Sequence, residues 1–281
     1  MSDFELERSP EARELAEDAL FQLLDALGAH DLNLVVLGGL VPELLTGGEG
    51  SEAPAHLGTT DIDIHISLFA DAESHVGPLE AALETIGAEP DGGVDGWRWL
   101  IPWSGSRVRI EFLCDLEDQP EGVTVSLPGC RRLRAANLRG TGFVARDWAE
   151  EPIERVVDGE TVTYQARFAR LGGLPAREVY AARLRGAEKD YYDLVHVLLY
   201  NRAGGPGQAG AQLASGQFAD DVRVARNLFG EIEARFNDAS DYAAQSYARQ
   251  ALRVDPEADP AQLAQDAVGA IAEFIAALNL P

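Results

Sequence analysis

Residues 10 to 27 place Leu15, Ala19, Leu20, Leu23, Leu24 and Leu27 on one helical stripe, with Glu11, Glu14, Glu17 and Asp18 mostly off it. Ser9 ahead of Pro10 is a helix start signal, so this spacing predicts an amphipathic helix. Leu32 to Leu37 follows as a short apolar run ended by Gly38-Gly39, which predicts a strand, a glycine turn and a brief helix from about Leu40 to Leu45. Beyond the Gly/Ser/Pro-rich loop from Gly47 to Gly58, Asp61-Ile62-Asp63-Ile64-His65-Ile66 alternates strictly. Its three isoleucines share one face of a strand, and Asp61, Asp63 and His65 share the other.

A helical segment is expected near Glu73 to Ile86. Two further strands follow, Trp97 to Ile101 and Arg107 to Cys114, divided by the turn-like Pro102 to Ser106. In the second, Val108, Ile110 and Phe112 alternate with Arg109 and Glu111, which puts Glu111 on the polar face. Short extended pieces, such as Val123 to Leu127 and Thr161 to Phe168, mixed with loops, are expected between Val123 and Leu171, and a mainly helical remainder from Ala176 onward. The glycine-rich stretch Ala203 to Gly210 reads as a linker. The expected fold class is α+β: a mixed sheet with flanking helices and trailing helices over residues 1-200, then a carboxy-terminal helical bundle over 211-281.

Composition changes this picture in two ways. With 281 residues, 46% of them hydrophobic, the chain can bury a substantial core. Its 47 acidic against 23 basic residues give a formal charge of -24, a field that repels nucleic acid unless cations are gathered in one place. All cations but Lys189 are arginine, a bias that fits both a GC-rich genome and a salt-adapted cytoplasm. Two cysteines, no basic leader in Met1 to Glu5 and no apolar run near 18 residues lead us to expect a reduced, soluble, cytoplasmic protein without membrane contact.

Asp61, Asp63 and Glu111 form the chemical constellation. Two carboxylates two apart on a strand point the same way, and hard oxygen ligands suit Mg²⁺ or Mn²⁺. Phosphoryl and nucleotidyl transfer needs such metal, because charge moves between the attacking oxygen and the leaving phosphate oxygens. Glu111, from a further strand, is the candidate third carboxylate, as metal ligand or proton acceptor. Gly38 and Gly39, at a strand-to-helix turn, would let backbone N–H groups approach phosphate. His65 extends the aspartate face, but imidazole suits transition metals better, so it reads as a hydrogen-bonded flanking residue.

Gly38-Gly39, followed about twenty residues later by Thr59-Thr60-Asp61-Ile62-Asp63-Ile64, resembles the signature of the polymerase-beta-like nucleotidyltransferase superfamily. That resemblance implies a nucleotidyltransferase-like sheet, two metal-binding aspartates and a third acid on a later strand. Ala181 to Leu194, with Glu188-Lys189-Asp190-Tyr191-Tyr192-Asp193-Leu194 at its end, resembles a later motif of the AbiEii-type nucleotidyltransferase toxins, in which a basic residue and Asp-x-x-Asp-Leu lie on a nucleotide-covering helix. Lys189 and Asp193, four apart, could pair on one helix face, and lysine is a compact charge suited to a triphosphate. The likeness covers roughly residues 31 to 200. Many relatives carry an arginine four residues before the first aspartate, where this chain has Leu57.

The resemblance implies transfer of NMP from an NTP to an acceptor hydroxyl, with tRNA as a possible acceptor and a cognate antitoxin as a possible partner. A small-molecule nucleotidyltransferase and a degenerate nucleotide- or antitoxin-binding module remain alternatives. Between Arg131 and Arg185 stand 11 arginines against 7 acids, a local balance of 11 − 7 = +4. These arginines could form a basic surface for a triphosphate, an RNA end or an acidic partner, or be salt-bridged within the fold.

Overall fold

A computed structural model describes residues 7–30, 32–46, 53–68, 76–92 and 96–279. The residues divide into two compact units: 1–40 with 58–169, and 41–57 with 170–281. Parts of three sequence expectations, Met1 to Glu5, residues 47–52 of the loop and residues 73–75 of the helix, lie outside the described residues.

The first unit holds the sheet. Its strands are β1 (Leu34–Leu37), β2 (Asp61–Ile66), β3 (Glu89–Pro90), β4 (Arg98–Trp103), β5 (Ser106–Cys114), β6 (Thr124–Ser126), β7 (Arg134–Asn137), β8 (Trp148–Val157) and β9 (Glu160–Ala169). They run in the order β3-β4-β5-β2-β1-β9-β8, with β7 pairing both β5 and β6. β2 is parallel to β5 and antiparallel to β1, so the sheet is mixed. Helix α1 (Pro10–Leu27) starts as its sequence demands: Ser9 Oγ accepts from the amide of Ala12 at 3.1 Å, and proline follows the cap. Its buried stripe includes Leu20 and Leu23, 1% and 0% exposed. Each such leucine contributes about 1.5–3 kcal/mol by leaving water. α1 covers the face of Ile62, Ile64 and Ile110, and α3 (Gly77–Thr85) packs beside it.

The turn between β4 and β5 is tighter than expected. Trp103 pairs with Ser106, leaving only Ser104 and Gly105, at φ 46° and 78°. Positive φ at both central residues is the type I′ geometry that matches strand twist. β8, ten residues long, is not among the pieces that the sequence singles out. It pairs along its length with β9 through another two-residue turn, Asp158-Gly159, also at positive φ.

The second unit is helical: α2 (Pro42–Thr46), α4 (Leu174–Leu184), α5 (Glu188–Tyr200), α6 (Pro206–Leu213), α7 (Ala219–Val224), α8 (Arg226–Arg235), α9 (Tyr242–Ala251) and α10 (Pro260–Ala277). Tyr192 of α5 stacks on Tyr247 of α9 at 5.9 Å, and Phe229 of α8 meets Phe274 of α10 edge-on at 6.2 Å. The α2 segment joins this unit through Leu45, whose carbonyl accepts from the amide of Arg202 at 3.0 Å. The stretch read as a linker is largely α6. A Cβ on Gly207 would stand 2.7 Å from Glu273 Oε1, and one on Gly210 would be 2.8 Å from Ala277 Cβ and would overlap the Phe274 carbonyl. Gly210 lets α6 approach the α10 backbone closely, so it serves packing rather than flexibility. The mixed sheet with helices on its face, followed by carboxy-terminal helices, is the expected fold class. No described helix is long and apolar enough to cross a membrane.

Candidate functional site

The alternation of β2 decides where its acids go. Ile62 and Ile64 are 0% and 1% exposed beneath α1, which forces Asp61 and Asp63 onto the opposite face. The parallel register of β2 and β5 sets Asp63 beside Glu111 and Asp61 beside Arg109. Gly38, at φ 71°, is pressed against this row, since a Cβ there would overlap the Asp63 carboxylate. Gly39 lies equally tight against Thr59. Gly38–Leu40 forms a 3-10 turn, and the helix that follows, α2, has five residues. The glycine pair is therefore required by the approach of the β2 side chains, whatever else it binds.

Thr59 Oγ1 donates to Asp61 Oδ1 at 2.7 Å and steadies that carboxylate. Glu111, with 7% of its side chain exposed, accepts from Arg98 Nε at 2.8 Å. Among the described residues, no group of three or more His, Cys, Asp or Glu side chains is arranged to hold a metal ion. The expected trio thus shares a face, but Glu111 is engaged with an arginine. The donor set still suits magnesium: two carboxylates project side by side from β2, and Mg²⁺ is commonly held by one or two carboxylates together with water and substrate phosphate. The tight seat that Gly38 leaves for the Asp63 carboxylate is the structural feature that fits this use.

His65 behaves as a flanking residue. Its Nδ1 lies 3.2 Å from Thr141 Oγ1, whose own proton goes to the Leu138 carbonyl at 2.9 Å. Nδ1–H therefore donates. Burial pushes its pKa down to about 4, against the opposing pull of Asp115.

Lys189 and Asp193 lie on α5 in the helical unit. Asp193, 6% exposed, is held by His56 Nε2 at 2.9 Å, and the hydroxyl of Tyr192 accepts from the amide of Leu57 at 3.0 Å. Nearby, Asp190 receives two bonds from Arg185, of 2.6 and 3.3 Å. Glu178 accepts from Arg177 at 2.8 Å on Oε1, while its buried Oε2 has no hydrogen-bond partner among the described residues. Burial raises the Glu178 pKa to about 7, with Asp193 and Asp190 adding to the rise and Arg177 and Arg185 opposing it.

Of the eleven arginines between 131 and 185, Arg131, Arg132, Arg139, Arg155, Arg177, Arg183 and Arg185 lie within ion-pair distance of carboxylates. Salt bridging within the fold accounts for most of that cationic run. A cavity of about 140 Å³ between α1 and the β1–β9 edge is lined by Leu20, Leu23, Val36 and Ile64. Those strand residues face away from the carboxylates, so the cavity is a gap under α1 rather than part of this site. Thr59, quoted in the sequence only as part of the motif, was given no role there, and Arg98 and His56 were not singled out. Thr59 sits two residues before Asp61 and was open to inspection, whereas Arg98 and His56 acquire their partners only through pairing across the fold.

No family model matches the chain, and no curated protein matches it. Among solved structures, an H. pylori protein provisionally described as a nucleotidyltransferase aligns with 96% of this chain and 97% of its own, at 11% identity and a TM-score of 0.45. A likeness so distant transfers no residue role.

Proposed function

We propose that this chain is a metal-dependent nucleotidyltransferase that moves NMP from an NTP to an acceptor hydroxyl. The observation that carries the reading is the row on β2 and β5: Asp63 in register with Glu111, Asp61 steadied by Thr59, and Gly38 seated against the Asp63 carboxylate. The glycine pair, the Asp-x-Asp strand and the later acidic strand follow the order of the nucleotidyltransferase signature. The α5 segment resembles the later motif of the AbiEii-type toxins.

In this reading Asp61 and Asp63 hold Mg²⁺ or Mn²⁺, which would stabilise charge on the phosphate oxygens. The acceptor oxygen attacks the α-phosphorus, the bond to the β-phosphate oxygen breaks, and pyrophosphate leaves. A carboxylate of the row takes the hydroxyl proton, with Glu111 the candidate. From the motif likeness alone, Lys189 is the candidate compact positive charge for a triphosphate. Asp193 orients that part of α5 from its bond to His56. The AbiEii likeness makes tRNA the first acceptor to try and a cognate antitoxin the first partner, and the composition makes the cytoplasm the proposed compartment.

Protein incubated with Mg²⁺, each labelled NTP and total tRNA is expected to label RNA, and Asp61→Asn to abolish the label. Labelling that persists undiminished in Asp61→Asn overturns the proposal. Label on a small acceptor alone would keep the chemistry and change the substrate. The engagement of Glu111 by Arg98 favours a second reading, a nucleotide- or antitoxin-binding module without turnover. Tight NTP binding with no label on any acceptor would select it.

A further inference from the structure

Arg98 belongs to the same row. The antiparallel register of β4 and β5 sets Arg98 opposite Glu111, which is itself in register with Asp63, so three adjacent strands present Arg98, Glu111 and Asp63 in sequence on one face. Arg98 stands two strand spacings from Asp63, about 10 Å at the backbone, a span that its side chain shortens.

The guanidinium is fixed along one edge only. Its Nε–H donates to Glu111 Oε1 at 2.8 Å, and its central carbon lies 3.9 Å from the centre of the Trp97 ring. Glu111 is 7% exposed at the side chain and Arg98 is 42% exposed. A guanidinium has five N–H donors. Among the described residues only the Nε–H of Arg98 is engaged, so the terminal nitrogens remain available on the solvent side. Planar N–H pairs of this kind recognise phosphate in a bidentate manner, which lysine cannot reproduce. The neighbouring Arg109 is likewise held through its Nε, at 3.0 Å, but by Asp91, which lies outside the row, whereas the partner of Arg98 is in register with Asp63.

We propose that Arg98 is a phosphate-binding residue of this site, oriented by Glu111 and Trp97, that receives the β- and γ-phosphates of the NTP and the leaving pyrophosphate. The inference rests on the nucleotidyltransferase reading. It gives Glu111 a positioning role beside any it has toward metal, and it explains why a buried carboxylate on this face is paired with an exposed guanidinium.

Inorganic pyrophosphate and Mn²⁺ are the probes, titrated by calorimetry into the full-length protein, with Mn²⁺ also added alone. Arg98→Ala is expected to weaken Mn²⁺–pyrophosphate binding about tenfold or more, Arg98→Lys to restore little of it, and neither to change the affinity for Mn²⁺ alone. Glu111→Gln, which leaves Arg98 less firmly placed, is expected to give a smaller loss of pyrophosphate affinity. Pyrophosphate binding equal in wild type and Arg98→Ala overturns the assignment. So does a parallel loss of Mn²⁺ affinity in that variant, which would mean that Arg98 only shapes the carboxylates. A wild-type protein that binds neither probe instead refutes the transferase reading on which the assignment stands.

Discussion

The sheet unit and the helical unit each bury acidic side chains, but they neutralise them differently. On the sheet, Glu111 meets a guanidinium that stays 42% exposed. In the helical unit, Glu178 meets Arg177, and both side chains are nearly sealed, at 2% and 5%. A counter-ion left in solvent can change partners at small cost, because water screens the separated charges. One sealed with its acid cannot leave without stranding a charge in a medium that solvates it poorly. The first arrangement suits a binding site and the second suits a scaffold.

The largest test of that contrast is Arg177→Ala. It is expected to cost about 3–5 kcal/mol in urea unfolding above pH 7, where Glu178 is ionised and would lose its ion-pair partner inside the unit. A loss under about 1 kcal/mol would erase the distinction. Gly38→Ala should cost roughly 2–3 kcal/mol, because the position has φ 71° and its new methyl group meets the Asp63 carboxylate. It should also lower metal affinity, and retention of both stability and Mn²⁺ binding would show that Asp63 is not seated there.

The two units also bring opposed pH dependences. His65 has its pKa lowered from 6.5 to about 4, so between those values the unfolded chain binds the extra proton and stability rises with pH. Glu178 has its pKa raised from 4.5 to about 7, so in that window the folded chain holds the extra proton and stability falls as pH rises. The wild type is expected to be nearly flat from pH 4.5 to 6.5. Glu178→Gln should unmask a rise of about 2–3 kcal/mol across that range, as every tenfold difference in proton affinity between the folded and unfolded chain corresponds to about 1.4 kcal/mol. Denaturation curves of the variant that stay flat would remove His65 as a titrating group. The smallest effect belongs to Arg98→Ala, expected to change stability by less than about 1 kcal/mol while altering pyrophosphate binding. A stability loss as large as that of Arg177→Ala would place Arg98 with the scaffold.

Legibility along the chain follows the range of the forces involved. α1 was readable because its stripe, its Ser9 cap and Pro10 all lie within one segment. β2 and β5 were readable because alternation is local and one face is sealed. β8 was not, since Trp148–Val157 has acids, an arginine and a proline in place of an apolar alternation, and most of its side chains stay in contact with water. The Asp158-Gly159 pair did carry a hairpin signal and would have revealed both strands. Gly210 misled for a different reason: a glycine that admits a neighbouring helix and a glycine that loosens a loop look identical in sequence.

By itself, then, the sequence determined which side chains share a face: Asp61 with Asp63, Val108 with Ile110 and Phe112, and the leucines of α1. The two-residue and 3.6-residue periods of strand and helix are local geometry, and burial of one face selects them. Tertiary structure alone decided the partners. β2 could have paired with any strand, yet its parallel register with β5 sets Asp63 beside Glu111, and β4 then supplies Arg98. Likewise residues 41–57 joined the helical unit through bonds such as His56 to Asp193, across 137 positions of sequence. Register and long-range ion pairs are fixed by the summed burial of whole faces, a quantity that no short window of residues contains.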